Sequence, residues 1–277
     1  MTGKLEGKVA IVSGAGRGIG NAIAIKLASE GARVVVNDLD EKAAAETVDA
    51  IRRSGGTAEA CAGSVTEAGF AERFVGTAVE QLGGLDIIIN NAGFTWDSVI
   101  QKMTDEQFQA VLDVHLTAPF RILRAASEHI RAAAKREASE GREVFRKVVN
   151  ISSVVGLGGN AGQVNYSSAK AALIGMTKTL SREWGRYKVN VNCVAFGFIR
   201  TRMTQPLAAD AEKVDIGGRQ VAFGVQPALI EDLEKNQIPL GRLGTPEEAA
   251  GGVYLLCTTE SNYISGQVLV VGGGLSF

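Results

Sequence analysis

The chain has 277 residues, 45% of them hydrophobic, with 29 basic and 30 acidic side chains and a formal net charge of −1. That balance argues against nucleic acid as a main partner, which needs a basic surface, and no uninterrupted apolar segment reaches the ~18 residues of a membrane span. Three widely spaced cysteines without a C-x-x-C pair, and His115 and His129 as the only histidines, predict reduced, mostly buried thiols and no metal site.

Met1 to Glu6 hold no apolar core of a signal peptide, so a cytoplasmic protein is expected. Val9-Ala10-Ile11-Val12 is a short β-branched run, followed by Ser13-Gly14-Ala15-Gly16-Arg17-Gly18-Ile19-Gly20 and an amphipathic stretch to Gly31: strand, glycine loop, helix. Glycines let backbone N–H groups at a helix N-terminus approach a pyrophosphate closely, and the helix dipole favours its charge. The G-x-G-x-x-G fingerprint does not fit, because counting from Gly14 puts Ile19 at the third glycine, and counting from Gly16 puts Asn21 there. The pattern that fits is G-x-x-x-G-x-G, through Gly14, Gly18 and Gly20. A second strand, Arg33 to Asn37, ends at Asp38, whose carboxylate can accept from both adenosine ribose hydroxyls and repels a 2′-phosphate. NAD(H) is therefore the preferred cofactor. NADP(H) is the alternative, because Arg17 in the loop can pair with that phosphate.

Further along, Ile87–Ile89, Val148–Ile151, Val189–Val194 and Val268–Val271 are apolar runs of buried parallel strands, separated by helical patterns and by no Pro/Ser-rich linker. One α/β domain over residues 1–277 is predicted, a doubly wound Rossmann-type parallel sheet with helices on both faces. Its ligand crevice lies beyond the C-terminal strand ends, where Gly14, Asp38, Asn90 and Ser153 all fall. Thr245 and Pro246 mark a late helix, as N-cap and first helical residue.

Ser153 and Tyr166-Ser167-Ser168-Ala169-Lys170 carry the chemistry. Residues four apart share a helix face, so the Lys170 ammonium lies beside the Tyr166 phenol and can stabilise its phenolate. That suits proton transfer to or from a carbonyl or alcohol oxygen.

Together with Asn90-Asn91-Ala92-Gly93 after the apolar strand, and a Ser-to-Tyr spacing of 13 that selects Ser153 over Ser152, these motifs give the chain a plain resemblance to the short-chain dehydrogenases/reductases, from about Leu5 to the C-terminus. Within them it is most similar to 3-oxoacyl-carrier-protein reductases and 3-hydroxyacyl-CoA dehydrogenases. The resemblance implies seven strands, the seventh near Thr57–Ala62. It also implies roles: Tyr166 as general acid or base, Ser153 polarising the substrate oxygen, and Lys170 binding the nicotinamide ribose and lowering the tyrosine pKa. Gly14, Arg17, Gly18, Ile19, Gly20, Asp38, Asn91, Ala92 and Gly93 would line the cofactor site. Gly197, Ile199 and Thr201 would meet the nicotinamide carboxamide, and Ser64 and Val65 the adenine.

Some positions depart from the family pattern. His115 stands where relatives carry an asparagine of a water-mediated proton relay; it is either a relay residue or a packed helix histidine. Phe196 replaces a proline before Gly197, shaping the pocket floor or simply packing. Ser64 replaces an aspartate, removing an acceptor near the adenine, and Gly272 replaces an aspartate after the last strand.

Arg131 to Arg142 extends a helix whose mixed charges make a solvated face or, alternatively, a dock for an acidic carrier protein. A lid insertion, about 203–239, carries Met203, Leu207, Val221, Phe223, Val225, Leu229 and Ile230, which line either an acyl-sized groove or a subunit interface. Relatives form homotetramers through the late helix and last strand, and the same assembly is expected here. The expected reaction is reduction of a 3-oxoacyl thioester of acyl carrier protein or CoA, or its reverse. Alternatives are NAD-dependent oxidation of a cyclic or steroid-like secondary alcohol and, from another class, a non-catalytic NAD-binding sensor.

Overall fold

The structure, a computed structural model, describes residues 3–206, 213–216, 218–222 and 224–275. Seven strands form one all-parallel sheet in the order β3-β2-β1-β4-β5-β6-β9. They are β1 (Val9–Val12), β2 (Arg33–Val36), β3 (Thr57–Ala60), β4 (Ile87–Asn90), β5 (Arg146–Ser153), β6 (Val189–Phe196) and β9 (Val268–Val271). The chain starts in the middle at β1, winds outward to β3, then crosses back to β4 and winds the other way. The order therefore reverses between β1 and β4, and a crevice opens beyond their C-terminal ends.

Successive strand residues face opposite sides. Ala10, Val12, Val34, Val36, Ile87 and Ile89 pack against α1 (Gly18–Ser29) and α9 (Pro246–Leu255), through Ile23, Leu27, Ala250 and Val253. Val9, Ile11, Val35, Ile88, Val148 and Val191 pack against α3 (Phe70–Gln81) and α5 (Ala118–Ser139), through Phe70, Phe74, Ile122 and Ile130. Burial on both faces is what makes the strands continuous apolar runs.

The remaining helices are α2 (Glu41–Arg53), α4 (Asp105–Leu112), the single turn α6 (Val155–Gly158), α7 (Val164–Trp184) and α8 (Pro227–Asp232). Thr245 caps α9 as expected, in a reciprocal capping box with Glu248, and Pro246 opens it.

Strand ends differ from the sequence expectation for identifiable reasons. β5 is two residues longer at each end than Val148–Ile151, because its polar N-terminal pair is buried with partners. The Arg146 guanidinium makes a two-pronged ion pair with Glu137 of α5 at 2.8 and 2.7 Å. Lys147 Nζ donates to Asn190 Oδ1 at 2.9 Å, Ser261 Oγ at 3.0 Å and Asn262 Oδ1 at 2.8 Å. An apolar-pattern rule cannot see such residues as strand. Within 203–239, β7 (Lys213–Ile216) and β8 (Arg219–Ala222) pair antiparallel, an element absent from the sequence reading; four-residue runs are too short for periodicity to identify.

Candidate active site

The glycine loop after β1 is closed by side chains from neighbouring strands. Asn91 Nδ2 donates to Ser13 O at 2.9 Å and Gly14 O at 3.0 Å, while Ser13 Oγ accepts the N–H groups of Asn91 and Ala92, both at 3.0 Å. From β2, buried Asn37 accepts the Gly14 N–H at 3.3 Å and donates to Cys61 O and Gly63 O at 3.0 Å each, tying the glycine loop to the loop after β3. Gly14 and Gly18 have positive φ (62° and 57°). A Cβ on Gly14 would lie 2.7 Å from Ala92 Cα, and one on Gly16 2.7 Å from Asp38 Oδ2, so the loop is a cradle only glycine permits.

Asp38 Oδ2 accepts the Gly16 N–H at 2.9 Å and Oδ1 accepts the Asp40 N–H at 3.0 Å. Arg17, on the cavity wall, pairs with Asp40 at 2.7 Å. Asp40 in turn caps α2, accepting the N–H groups of Lys42 and Ala43. Ser64 Oγ bonds Thr66 Oγ1 at 2.8 Å.

Above β5 and α7 lies the second half of the site. Tyr166 and Lys170, one turn apart on α7, share a wall with Ser153 at the end of β5. Lys170 is buried; its Nζ donates to Ile151 O at 2.7 Å and sits 5.4 Å from the Tyr166 ring centre. Burial lowers its pKa to about 8. Burial also pushes the Tyr166 phenol up to about 12, with the adjacent Ser153 hydroxyl opposing that rise. Desolvation is the larger influence on the phenol in the chain alone.

His115 sits on a π-helical turn, Asp113–Thr117, between α4 and α5. Its ring meets Tyr166 edge-on at 5.1 Å, and its Nε2 is 2.7 Å from Phe94 O. Burial, with the Lys170 charge adding to it, drives its pKa well below the ordinary histidine value, so the ring is neutral. Its Nδ1 is buried without a hydrogen-bond partner among the described residues.

One cavity of about 360 Å³ joins both halves. It is lined by Gly14, Arg17, Gly18, Ile19, Gly20, Asp38, Ser64, Val65, Asn91, Ala92, Gly93, His115, Ser153, Tyr166, Lys170, Gly197, Ile199 and Thr201, all marked from the sequence. A family model described as short chain dehydrogenase matches residues 8–212. The chain belongs to the short-chain dehydrogenase family. It is 38% identical to the 3-oxoacyl-[acyl-carrier-protein] reductase of Vibrio cholerae, with 98% of each chain covered. It is 35% identical to the Thermotoga maritima protein of the same description, over 98% of this chain and 99% of the other. With the short-chain reductase protein NovJ of Streptomyces niveus it shares 38% over 96% of this chain and 93% of the other.

The cavity of this dehydrogenase has further walls that sequence reasoning did not mark as binding residues: Asn37, Gly63, Thr66, Phe94, Arg202 and Thr204 among them. The sequence signals for Asn37 are its place beside Asp38 at a strand end and the likeness of Val36-Asn37-Asp38-Leu39 to relatives acting on 3-hydroxyacyl thioesters. In the region expected to be a lid, Met203 lines the cavity and packs against the cluster of Phe94, Ala110 and Val111. Ile230 packs instead against the cluster that holds Leu233 and Ile238, and Leu229 is exposed. Neither lines the cavity. Leu207, Phe223 and the Val221 side chain lie outside the described residues. No helix among the described residues is long and apolar enough to cross a membrane.

Proposed function

We propose that this dehydrogenase reduces a 3-oxoacyl thioester to its 3-hydroxyacyl form with NADH, the alternative being the reverse reaction on the CoA ester. The observation that carries the reading is the single cavity on which the glycine cradle meets Ser153, Tyr166 and Lys170. The names of the relatives support the substrate class.

The residues fit a nicotinamide dinucleotide: Gly14 and Gly18 leave room for a pyrophosphate against backbone N–H groups at the start of α1, and Asp38 stands ready for the ribose. Preference for NAD(H) is favoured by Asp38, and also by Arg17, whose charge is engaged by Asp40. The bound cofactor supplies the hydride. In the chain itself, the Ser153 hydroxyl holds the substrate oxygen and Tyr166 gives it a proton as negative charge develops there. Lys170 binds the ribose hydroxyls and, from the same helix face, keeps positive charge near the phenol. His115 Nε2 sits against both the carbonyl and the N–H of Phe94, which leaves the unpaired Nδ1 as the ring nitrogen for a relay water.

An acyl carrier protein is favoured as the carrier of the thioester by a second cleft in which Arg131, Arg182 and Arg186 outnumber one acid, Glu183, beside Trp184 and Tyr187. Arg142, at the far end of the same charged segment, is taken up by Glu140. A homotetramer is supported by the half-exposed apolar residues Leu255 on α9 and Val270 on the edge strand β9.

The test is NADH consumption with acetoacetyl-CoA and acetoacetyl-carrier protein beside a panel of cyclic ketones. Thioester turnover, cut about 10³-fold in Tyr166→Phe with NADH binding retained, is expected. Faster turnover of the cyclic ketones overturns the substrate, and silence toward every ketone with NADH still bound overturns the enzyme.

A further inference from the structure

Asn165 is fully buried in the first turn of α7, the position before Tyr166. Asparagine is a poor helix former, yet here each polar group of its side chain is matched. Its Nδ2 donates to Trp96 O at 3.0 Å, in the loop after β4, and to Gln107 O at 3.2 Å, in α4. Its Oδ1 accepts the Tyr166 N–H at 2.8 Å. Two carbonyls facing one end of the group fix which end is the amide, so an aspartate cannot replace it. The N–H of Tyr166 is one of the orphan donors of a helix start, and the N-cap Gln163 contributes no side-chain cap. Asn165 supplies what the cap does not.

The same loop is held twice more. Ser98 N–H donates to Gly162 O at 2.8 Å, and Gln163 Nε2 donates to Asp97 Oδ2 at 2.8 Å. Two residues before Trp96, the backbone of Phe94 meets His115 Nε2, 2.7 Å from its carbonyl and 3.1 Å from its N–H, and the His115 and Tyr166 rings stand edge to face. The contacts close a circuit: Tyr166 backbone to Asn165, Asn165 to Trp96, along the loop to Phe94, Phe94 to His115, and His115 back to the Tyr166 ring.

We infer that Asn165 is a positioning residue for Tyr166: its carboxamide locks the first turn of α7 to the loop after β4 and to α4, and so sets the depth of the phenol oxygen in the cavity. The inference rests on the function proposed above, because depth matters only if the phenol transfers a proton. Misplacement of a reacting group by about 1 Å costs on the order of 10²-fold in rate.

Two measurements test it. In the wild-type chain, the Tyr166 amide, capped by Asn165, exchanges with deuterium far more slowly than the uncapped Val164 amide of the same turn. Equal exchange at the two overturns the tether without any variant and whatever the protein's activity. In Asn165→Ala, kcat for the thioester falls about 10²-fold while the NADH Kd by fluorescence stays within about twofold, since no cofactor-facing group has been touched. Asn165→Asp, which keeps the acceptor and loses the donors, falls as far. A kcat within about threefold of wild type in either variant overturns the inference, as does joint loss of NADH binding and turnover, the mark of a merely structural residue. Wild-type silence toward every ketone sinks the proposed reaction, and the rate half of the inference with it; the exchange result still decides the tether.

Discussion

Asp38→Asn tests the coenzyme reading most directly. Both carboxylate oxygens are anchored, by the N–H groups of Gly16 and Asp40, so the charge is fixed in place at the rim of the cradle. With about 5 Å between this carboxylate and a 2′-phosphate carrying about two charges, and an effective dielectric of about 40 for a site open to water, the repulsion is about 3 kcal/mol. Asparagine removes it, raising kcat/KM for NADPH by about 200-fold, and weakens the ribose hydrogen bonds by about 1 kcal/mol, lowering kcat/KM for NADH about fivefold. The NADPH/NADH ratio should thus shift by about 10³, less at high salt because surface charges are screened. Adding Asp40→Asn releases Arg17 from its 2.7 Å partner and moves the ratio further toward NADPH. Steady-state kinetics with both coenzymes at low ionic strength is the assay. A shift under threefold refutes the argument that Asp38 faces the discriminating hydroxyl.

Three other substitutions follow from the geometry. His115→Asn should lower kcat by about tenfold or less and leave the acid limb of the pH–rate profile in place, because a histidine driven well below its ordinary pKa is neutral throughout the working range; a moved limb contradicts this. Glu137→Gln strands the buried Arg146 guanidinium and should cost about 3–5 kcal/mol, or about 10 °C in Tm. The Arg146 hydrogen bonds hold the Glu137 carboxyl below 4.5, so the wild-type advantage is complete above that pH and disappears as pH falls through the lowered native value. Lys170→Met should abolish most turnover yet raise Tm by a few degrees at pH 7. Burial lowers the ammonium from 10.5 to about 8, so the folded chain binds its proton less well than the unfolded chain, and the gain shrinks as pH rises from 8 to 10.5. A lower Tm in this variant would show that the hydrogen bond to Ile151 outweighs the buried charge.

The parallel sheet was legible because strands buried on both faces must be apolar throughout, as in Ile87–Ile89, and the glycine loop because only glycine avoids Ala92 and Asp38 at such close range. What stayed hidden is what depends on partners far away in the chain. Lys147 belongs to β5 only because Asn190, Ser261 and Asn262 surround its ammonium. The Asp40 carboxylate beside Arg17 is likewise set there by the fold and not by the sequence pattern. Asn165 gave no signal beyond standing next to Tyr166, since its meaning lies in two backbone carbonyls 69 and 58 positions away.

The opposed shifts of Tyr166 and Lys170 bear on how the rate in each direction depends on pH. One cause, burial, keeps the proton on the phenol and makes the ammonium easier to deprotonate, since in both groups desolvation favours the neutral form. A phenol at about 12 is fully protonated across the physiological range, the form that ketone reduction requires. Oxidation needs the phenolate instead, which at pH 7 is present in about one molecule in 10⁵. The reductive rate should therefore be flat on the Tyr166 ionisation from pH 6 to 9, while the oxidative rate on the 3-hydroxyacyl ester rises about tenfold per pH unit over the same span. Initial rates in both directions, with coenzyme saturating, measure this. An oxidative rate already level by pH 8 means that the working phenol ionises far below its value in the folded chain alone, and the pH dependence argued from burial falls.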